Sequence, residues 1–278
     1  MKLTYFGTAM VALDYGGQRF LTDPALDPAG TRYDFGPWYT PAAWFASEKT
    51  YTTPKLEGRF DAVLLSHDQH ADNLDLAARA WICQQPDLRV YTTSPGARRT
   101  SRPPPASRGS RPGEGLGLGG RVNSLEFQAR TLGNVTITGT PARHGPVLLP
   151  GVHEVTGFLL EAPGEPTVWI SGDTVLHDRL RKFLADLRGQ KKRIDAAILH
   201  CGAVNFPKLP VLGEKLFTFD AAQALETCEL ADPGLVVPIH RDGWAHFRQP
   251  AAELQAAFEA SGRAPATRFL SLGDSLSL

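Results

Sequence analysis

Residues 64–73 read LLSHDQHADN. An apolar run, Phe60 to Leu65, breaks off into two histidines, two aspartates, a glutamine and an asparagine within seven residues. A helix start needs one capping side chain of this kind, Asp72 or Asn73. The stretch carries several more groups that bind cations or move protons: His67, Asp68 and His70 beside those two. The segment therefore poses a choice between an ornate helix start and one wall of a metal site.

Outward from this stretch, the pattern recurs. Apolar segments end in His144 (VTITGTPARHGP), Asp173 (TVWISGDT), His200 (DAAILHCGA) and His240 (GLVVPIHRDGWAHF). A lone histidine at a strand end is ordinarily a hydrogen-bonded structural group, and Asp after Gly is ordinary turn chemistry. Repetition changes the reading. Imidazole and carboxylate are the ligands of zinc and similar first-row ions. Strand ends hold such groups in fixed directions on a rigid scaffold.

Short β-branched or apolar segments predict strands at Leu3–Phe6, Val11–Asp14, Phe20–Leu21, Ala62–Leu65, Arg89–Thr92 and Val122–Phe127. Further strands are predicted at Val135–Thr138, Thr156–Leu160, Thr167–Ser171, Ala196–Leu199 and Leu235–Ile239. Helical spacing marks Leu74–Cys83, His177–Leu187, Ala221–Leu230 and Pro250–Ala260. Sheets covered by helices fit this order better than a regular βαβ alternation. The aromatic stretch GPWYTPAAWF, inside residues 31–57, is either a pocket cover or a packed surface insertion. The Arg-, Pro- and Gly-rich residues 98–121 are expected to form an irregular, solvated loop.

The 278 residues suit a single large domain, 1–278, able to bury a core without disulfides. Lys plus Arg and Asp plus Glu both number 29, so zero net charge disfavours nucleic acid or a membrane surface as partner. Cys83, Cys201 and Cys228 do not read as a disulfide framework and suit a reducing cytosol. The opening residues read as a strand–turn–strand around Gly16-Gly17 rather than a secretory leader. A cytoplasmic protein with a small-molecule substrate is expected, with a homo-oligomer left open.

With these segments in order, the sequence resembles the metallo-β-lactamase fold superfamily, in the branch of L-ascorbate-6-phosphate lactonase-like proteins. LTYFGTAMVALDYGGQRFLTDPALDP resembles that branch's first hairpin and its Thr-Asp-Pro turn, and LLSHDQHADNLD resembles its His-x-His-x-Asp-His signature. TPARHGP, ISGDT and VVPIHRDGW resemble the segments that carry the later ligands. Two departures stand out. Asn73 replaces the signature's last histidine, and the first histidine position falls on Asp68 unless a one-residue bulge lets His67 serve. Thr8 also stands where related proteins often have His.

The resemblance implies a four-layer αββα sandwich, an α/β (α+β) fold, with ions at one edge between two sheets. It implies a ligand set of His67 (or Asp68), His70 and His144 for one ion, Asp72 and His240 for the other, and Asp173 between them. Cofactors would be one or two divalent ions, zinc or manganese, the second held more weakly because an amide replaces an imidazole at Asn73. The implied activity is hydrolysis of an ester-type bond, a lactone or phosphoester of a small molecule. A phosphodiesterase or nuclease and a non-catalytic metal-binding protein are the alternatives. Asp72 or Asp68 would orient the nucleophile, and His246 or His200 would give a proton to the leaving group. Arg241, Trp244 and Trp38 are expected at the substrate, Arg241 for an anionic group and the tryptophans as pocket walls, with Trp44 and Phe206 as further wall candidates.

Overall fold

A computed structural model of the chain describes residues 1–36, 44–104, 112–125, 128–146, 153–206 and 215–278. Antiparallel strands β1 (Lys2–Gly7), β2 (Met10–Tyr15) and β3 (Gln18–Thr22) open the first sheet. A small hairpin follows, β4 (Arg32–Asp34) paired with β5 (Ala46–Glu48). The first sheet then continues in parallel through β6 (Ala62–Leu64), β7 (Arg89–Thr92) and β8 (Val122–Ser124). The second sheet holds β9 (Ala129–Leu132), β10 (Val135–Pro141), β11 (Thr156–Glu161), β12 (Val168–Ile170), β13 (Ala196–His200) and β14 (Leu235–Ile239), and β15 (Ser275–Ser277) returns to the free edge of β1.

The layers follow from alternation along the strands. One face of each sheet meets the other: Val11, Leu13, Phe20 and Leu64 pack with Ile137, Phe158, Ile170, Ile198 and Val237. The outer face of the first sheet (Met10, Leu21, Val63, Val90) is covered by α1 (Leu76–Cys83) through Ala78 and Ile82. The outer face of the second sheet (Leu159, Trp169, Leu199, Val236) is covered by α3 (Asp178–Gly189), α4 (Ala221–Ala231) and α5 (Ala251–Ala260). The result is the four-layer αββα sandwich.

Two differences from the sequence expectation have physical causes, and a third expected element is described only in part. The helix after LLSHDQHADN begins later than expected, because Asp75 caps α1 by accepting from the Ala78 N–H. Asp72 is thereby free of capping duty. The Arg-rich segment is not loop from its start: α2 spans Ser94–Ser101, with Thr93 as its cap and Pro95 in its first turn, where proline is compatible with a helix. The expected strand at Val122–Phe127 is described only to Ser124 as β8, and its last two residues lie outside the described set.

Strands β10, β12, β13 and β14 run in the same direction, so their C-terminal ends share one edge of the second sheet. The end of β6 meets that edge, where the Thr156 N–H donates to the Ser66 carbonyl at 3.1 Å. The turn after β1 does the same, with the Thr8 carbonyl accepting from the His240 N–H at 2.6 Å. The two sheets are thus stitched together where the polar strand ends lie.

Candidate metal centre

Each donor reaches this edge for a local reason. His67, His70 and Asp72 follow β6 on one tight loop, pinned when Asp23 accepts from the Ser66 N–H at 2.7 Å. His144 leaves the end of β10, and its Nδ1–H donates to the Phe217 carbonyl at 2.8 Å. That bond fixes the ring's tautomer and leaves the Nε2 lone pair facing inward. Asp173 follows Gly172, whose φ of +63° and a Thr156 carbonyl only 2.4 Å from a would-be Cβ exclude a side chain there. His240 takes a φ of 53° directly after β14, held by the Thr8 carbonyl.

The donors form two clusters. His67, His70 and His144 present nitrogen atoms all within 4.8 Å of one another, and Asp72, Asp173 and His240 do the same with their ligand atoms. In the first, His70 Nδ1 lies 2.9 Å from His67 Nε2 and 3.0 Å from His144 Nε2. In the second, His240 Nε2 lies 3.3 Å from Asp72 Oδ2 and 3.5 Å from Asp173 Oδ2. Asp173 Oδ2 also faces the first cluster, 3.9 Å from His144 Nε2. Two ligands of a tetrahedral ion with bonds near 2.0–2.1 Å lie about 3.3 Å apart. The donor spacings are close to that edge.

Charge makes the same case. Asp72 and Asp173 are buried, and among the described residues their ion-pair partners are histidines alone. Buried carboxylates without a strong cation are costly, so a divalent ion fits the residues present. Burial, then repulsion from His144, lowers the His70 pKa to about 4, and burial with His70 and His144 beside it holds His67 well below its usual range. Burial would raise the Asp72 carboxyl, but hydrogen bonds from His240 and His246 outweigh it and hold it well down. Burial likewise pushes on Asp173, where the charge of His240 and the hydrogen bond from His200 prevail and lower it. At His240 the balance is reversed: burial lowers it, and Asp173 and Asp72 together raise it.

Other expected site residues fall in different places. His67, and not Asp68, joins the imidazole cluster. The Asp68 carboxylate is turned to α2 and gripped by Arg99, with Nη2 at 2.7 Å and Nε at 3.0 Å. Arg99 also holds Glu154 at 2.6 Å. His200 does not face a leaving group; its Nδ1 holds Asp173 Oδ1 at 2.7 Å. Arg241 corrects an expectation outright. Its guanidinium turns away from the donors to the Leu270 carbonyl at 2.6 Å and the Asp242 carboxylate at 2.8 Å, which between them satisfy its charge and its donors. Trp244 is buried beside the site, and Trp38 lies outside the described residues. Trp44 is among the more exposed large apolar residues.

His246 is buried with Nε2 3.2 Å from Asp72 Oδ2 and Nδ1 2.6 Å from Ser47 Oγ. An aromatic collar surrounds it. Phe35 lies 4.7 Å from its ring and 5.7 Å from His70, Phe206 stacks on it at 5.5 Å, and Phe217 approaches His144 at 5.7 Å. Phe35 and Phe217 carry no signal in the sequence that separates them from ordinary core residues. His70 is the least buried of the six donors, so the centre opens beside Phe35.

The chain as a whole resembles known proteins. A metal-dependent hydrolase of Pelotomaculum thermopropionicum is 26% identical over 290 residues, covering 100% of both chains. One from Methanosphaerula palustris is 29% identical over 270 residues, covering 93% of this chain and 92% of the relative. The crystal structure of isothiocyanate hydrolase from Delia radicum gut bacteria matches with a TM-score of 0.76 at 20% identity, covering 100% of this chain and 99% of that one. The family described as the beta-lactamase superfamily domain matches residues 18–241, a span that takes in all six donors. The chain belongs to the beta-lactamase superfamily, and its two packed sheets are the metallo-β-lactamase fold.

Proposed function

We propose that this metal-dependent hydrolase opens a lactone or carboxylic ester in an uncharged, largely apolar small molecule. The observation that carries the reading is the convergence of six donors from the ends of β6, β10, β12 and β14 on one buried place rimmed by aromatic rings. A divalent ion in each of the two donor clusters, zinc or manganese, would supply Lewis acidity and a lowered water pKa. Asp72, kept ionised by its histidine partners, orients the attacking water. Phe35, Phe206 and Phe217 exclude bulk water and hold the apolar part of the substrate.

The resemblance to the lactonase-like branch supports the ester reading, and the collar argues against a phosphoester. Arg241, the group expected to meet a phosphate, is committed elsewhere. Hydrolysis of a neutral heterocumulene, the class named by the Delia radicum enzyme, suits the same collar and is the second reading. No helix among the described residues is long and apolar enough to cross a membrane. The three cysteines are free, in keeping with a cytoplasmic setting.

The test is a matched panel of aryl esters, aliphatic lactones, aryl isothiocyanates, phosphomonoesters and phosphodiesters, assayed with zinc and with manganese. Ester or lactone turnover is expected to exceed the phosphoesters by at least tenfold. Phe35→Ala should lower kcat/KM for the best apolar ester by about tenfold, the scale of a lost apolar contact. Preference for a phosphodiester would overturn the reading. Silence across the panel with ions bound would favour the non-catalytic alternative.

A further inference from the structure

Asn73 occupies the place where the signature calls for a last imidazole, and its surroundings say what it does instead. Its amide fits in one orientation that satisfies every partner: Nδ2 donates to Asp72 Oδ1 at 3.0 Å and to Asp173 Oδ2 at 3.3 Å, while Oδ1 accepts from Ser66 Oγ at 3.3 Å. Ser66 Oγ is also 3.0 Å from His67 Nδ1. The hydrogens then form a continuous chain, from His67 Nδ1–H to Ser66 Oγ, from the Ser66 hydroxyl to Asn73, and from Asn73 to both carboxylates. This chain leaves His67 Nε2 with a free lone pair. With the amide reversed, its oxygen would face two carboxylates, and the Ser66 hydroxyl would donate to His67 Nδ1, which puts that ring's proton on Nε2. Asn73 is thus a clamp on the carboxylates and offers no lone pair to an ion.

The carboxylate cluster then has three donors, Asp72, Asp173 and His240. A fourth stands beside them. His246 Nε2 lies 3.2 Å from Asp72 Oδ2, the same oxygen that His240 Nε2 meets at 3.3 Å. Both spacings match the edge between two ligands of one tetrahedral ion, about 3.3 Å. The other nitrogen, Nδ1, rests on Ser47 Oγ, as His67 Nδ1 rests on Ser66 Oγ in the neighbouring cluster. A ligating imidazole characteristically gives its second N–H to such a partner.

The ring is also held in place. Ser47 sits on β5, whose following residue Lys49 is buried with Nζ bonded to the Ala25 carbonyl, the Asp27 carbonyl and Thr53 Oγ1. Lys49 bridges to Trp244, and the Ala245 N–H donates to the Glu48 carbonyl at 3.0 Å. Two chain segments far apart in sequence are thereby zipped together directly before His246. Phe206 stacks on one face of the ring and Phe35 and Phe247 crowd it.

We infer that His246 is the imidazole ligand that completes the carboxylate cluster, moved from position 73 to the loop after β14, with Ser47 as its positioning residue. The inference rests on the two-ion reading of the centre and deepens it. It replaces proton donation as the role of His246.

The experiment counts ions on the untagged full-length protein, with zinc and with manganese as probes, by plasma mass spectrometry and calorimetric titration. Wild type is expected to hold two ions. His246→Ala should hold one, with the second binding at least 100-fold more weakly, and His246→Ala with Asn73→His should regain it. Ser47→Ala, a milder change that removes no donor, should weaken the second ion by about 10–100-fold. Two ions at wild-type affinity in both His246→Ala and Ser47→Ala would overturn the assignment. Should His246→Ala fail to fold, Ser47→Ala alone decides, since a proton donor's partner would leave ion binding unchanged. A single ion in wild type would overturn this assignment and the two-ion reading together. Two ions without hydrolysis of any ester would sink the proposed reaction and leave His246 a ligand.

Discussion

The imidazole cluster and the carboxylate cluster lie side by side, face the shared Asp173, and are built on opposite electrostatics. His67, His70 and His144 are three imidazole donors. Burial first, and mutual repulsion second, strips protons from His70 and His67 so that their lone pairs are ready at neutral pH. In the other cluster two carboxylates stay ionised despite burial, and they raise His240 against the same burial. One nest is rich in nitrogen; the other carries the negative charge. The difference teaches that the centre separates its tasks. The nitrogen-rich nest suits a borderline ion such as zinc, and the oxygen-rich nest accepts a harder ion as well.

Asp173 is where this comparison is easiest to break. Its Oδ2 faces His240 at 3.5 Å and His144 at 3.9 Å, while Oδ1 is held by His200. Asp173→Ala should therefore cost both ions, whereas His144→Ala should cost only the ion of the imidazole cluster. Loss of the charge that anchors two Lewis acids should cut turnover on the order of a thousandfold, or about 4 kcal/mol. Ion content by mass spectrometry, run beside the rate, checks this. An Asp173→Ala protein that keeps its imidazole-cluster ion would show that the clusters are independent.

A second way in goes through the loop that feeds both clusters. Residues 66–73 supply His67 and His70 to one cluster and Asp72 to the other, and the same loop carries the buried Asp68 paired with Arg99. Arg99→Ala would take away the guanidinium that grips that carboxylate and leave it facing the buried Arg79. Losing hydrogen bonds to a charged group costs about 1.5–3 kcal/mol. Urea unfolding of the ion-free protein should show a loss of that size. Both clusters should weaken together in calorimetry, because they hang from one loop. A loss confined to the imidazole cluster would mean that the loop is not a unit.

Much of the centre could be read from the chain because its donors announce themselves. His144, Asp173 and His240 each end an apolar run, and a strand end is a local property that spacing reveals. The supports could not be read, because they are long-range and chemically ordinary. Ser47 meets His246 across 199 residues, and Arg99 meets Asp68 from within an Arg- and Pro-rich stretch that reads as solvated loop. Just before that stretch Pro95 and Gly96 look like breakers, yet Thr93 before Pro95 is helix-start chemistry. The inward turn of Arg241 was hidden for the same reason. Its carbonyl acceptor, Leu270, comes from the chain end after α5, which no local pattern links to His240.

The smallest effect comes from a histidine outside both clusters, and it isolates what burial alone does. His177 is buried before α3, and burial, with Arg143 and Arg179 nearby, lowers its pKa from 6.5 to about 4. The first cause is the one that acts on His67 and His70, but this ring belongs to neither donor cluster, and the one carboxylate acting on it, Asp178, is outweighed. Above pH 6.5 the ring is neutral folded and unfolded, so it costs nothing. As pH falls from 6.5 to about 4 the unfolded chain takes up a proton that the folded ring refuses, and stability drains away across that window. His177→Asn keeps a good helix cap and removes the titration. Relative to this variant, wild type should lose roughly 1–2 kcal/mol of stability between pH 7 and pH 4.5, the full shift being discounted for solvent screening. Zinc should leave that difference unchanged while it protects both proteins equally through the imidazole cluster. Urea midpoints at the two pH values, with and without zinc, measure it. Parallel pH profiles for the two proteins would mean that the His177 ring is solvated enough to titrate normally. Burial by itself would then be too weak an account of the readiness of His67 and His70, and their mutual repulsion would have to carry it.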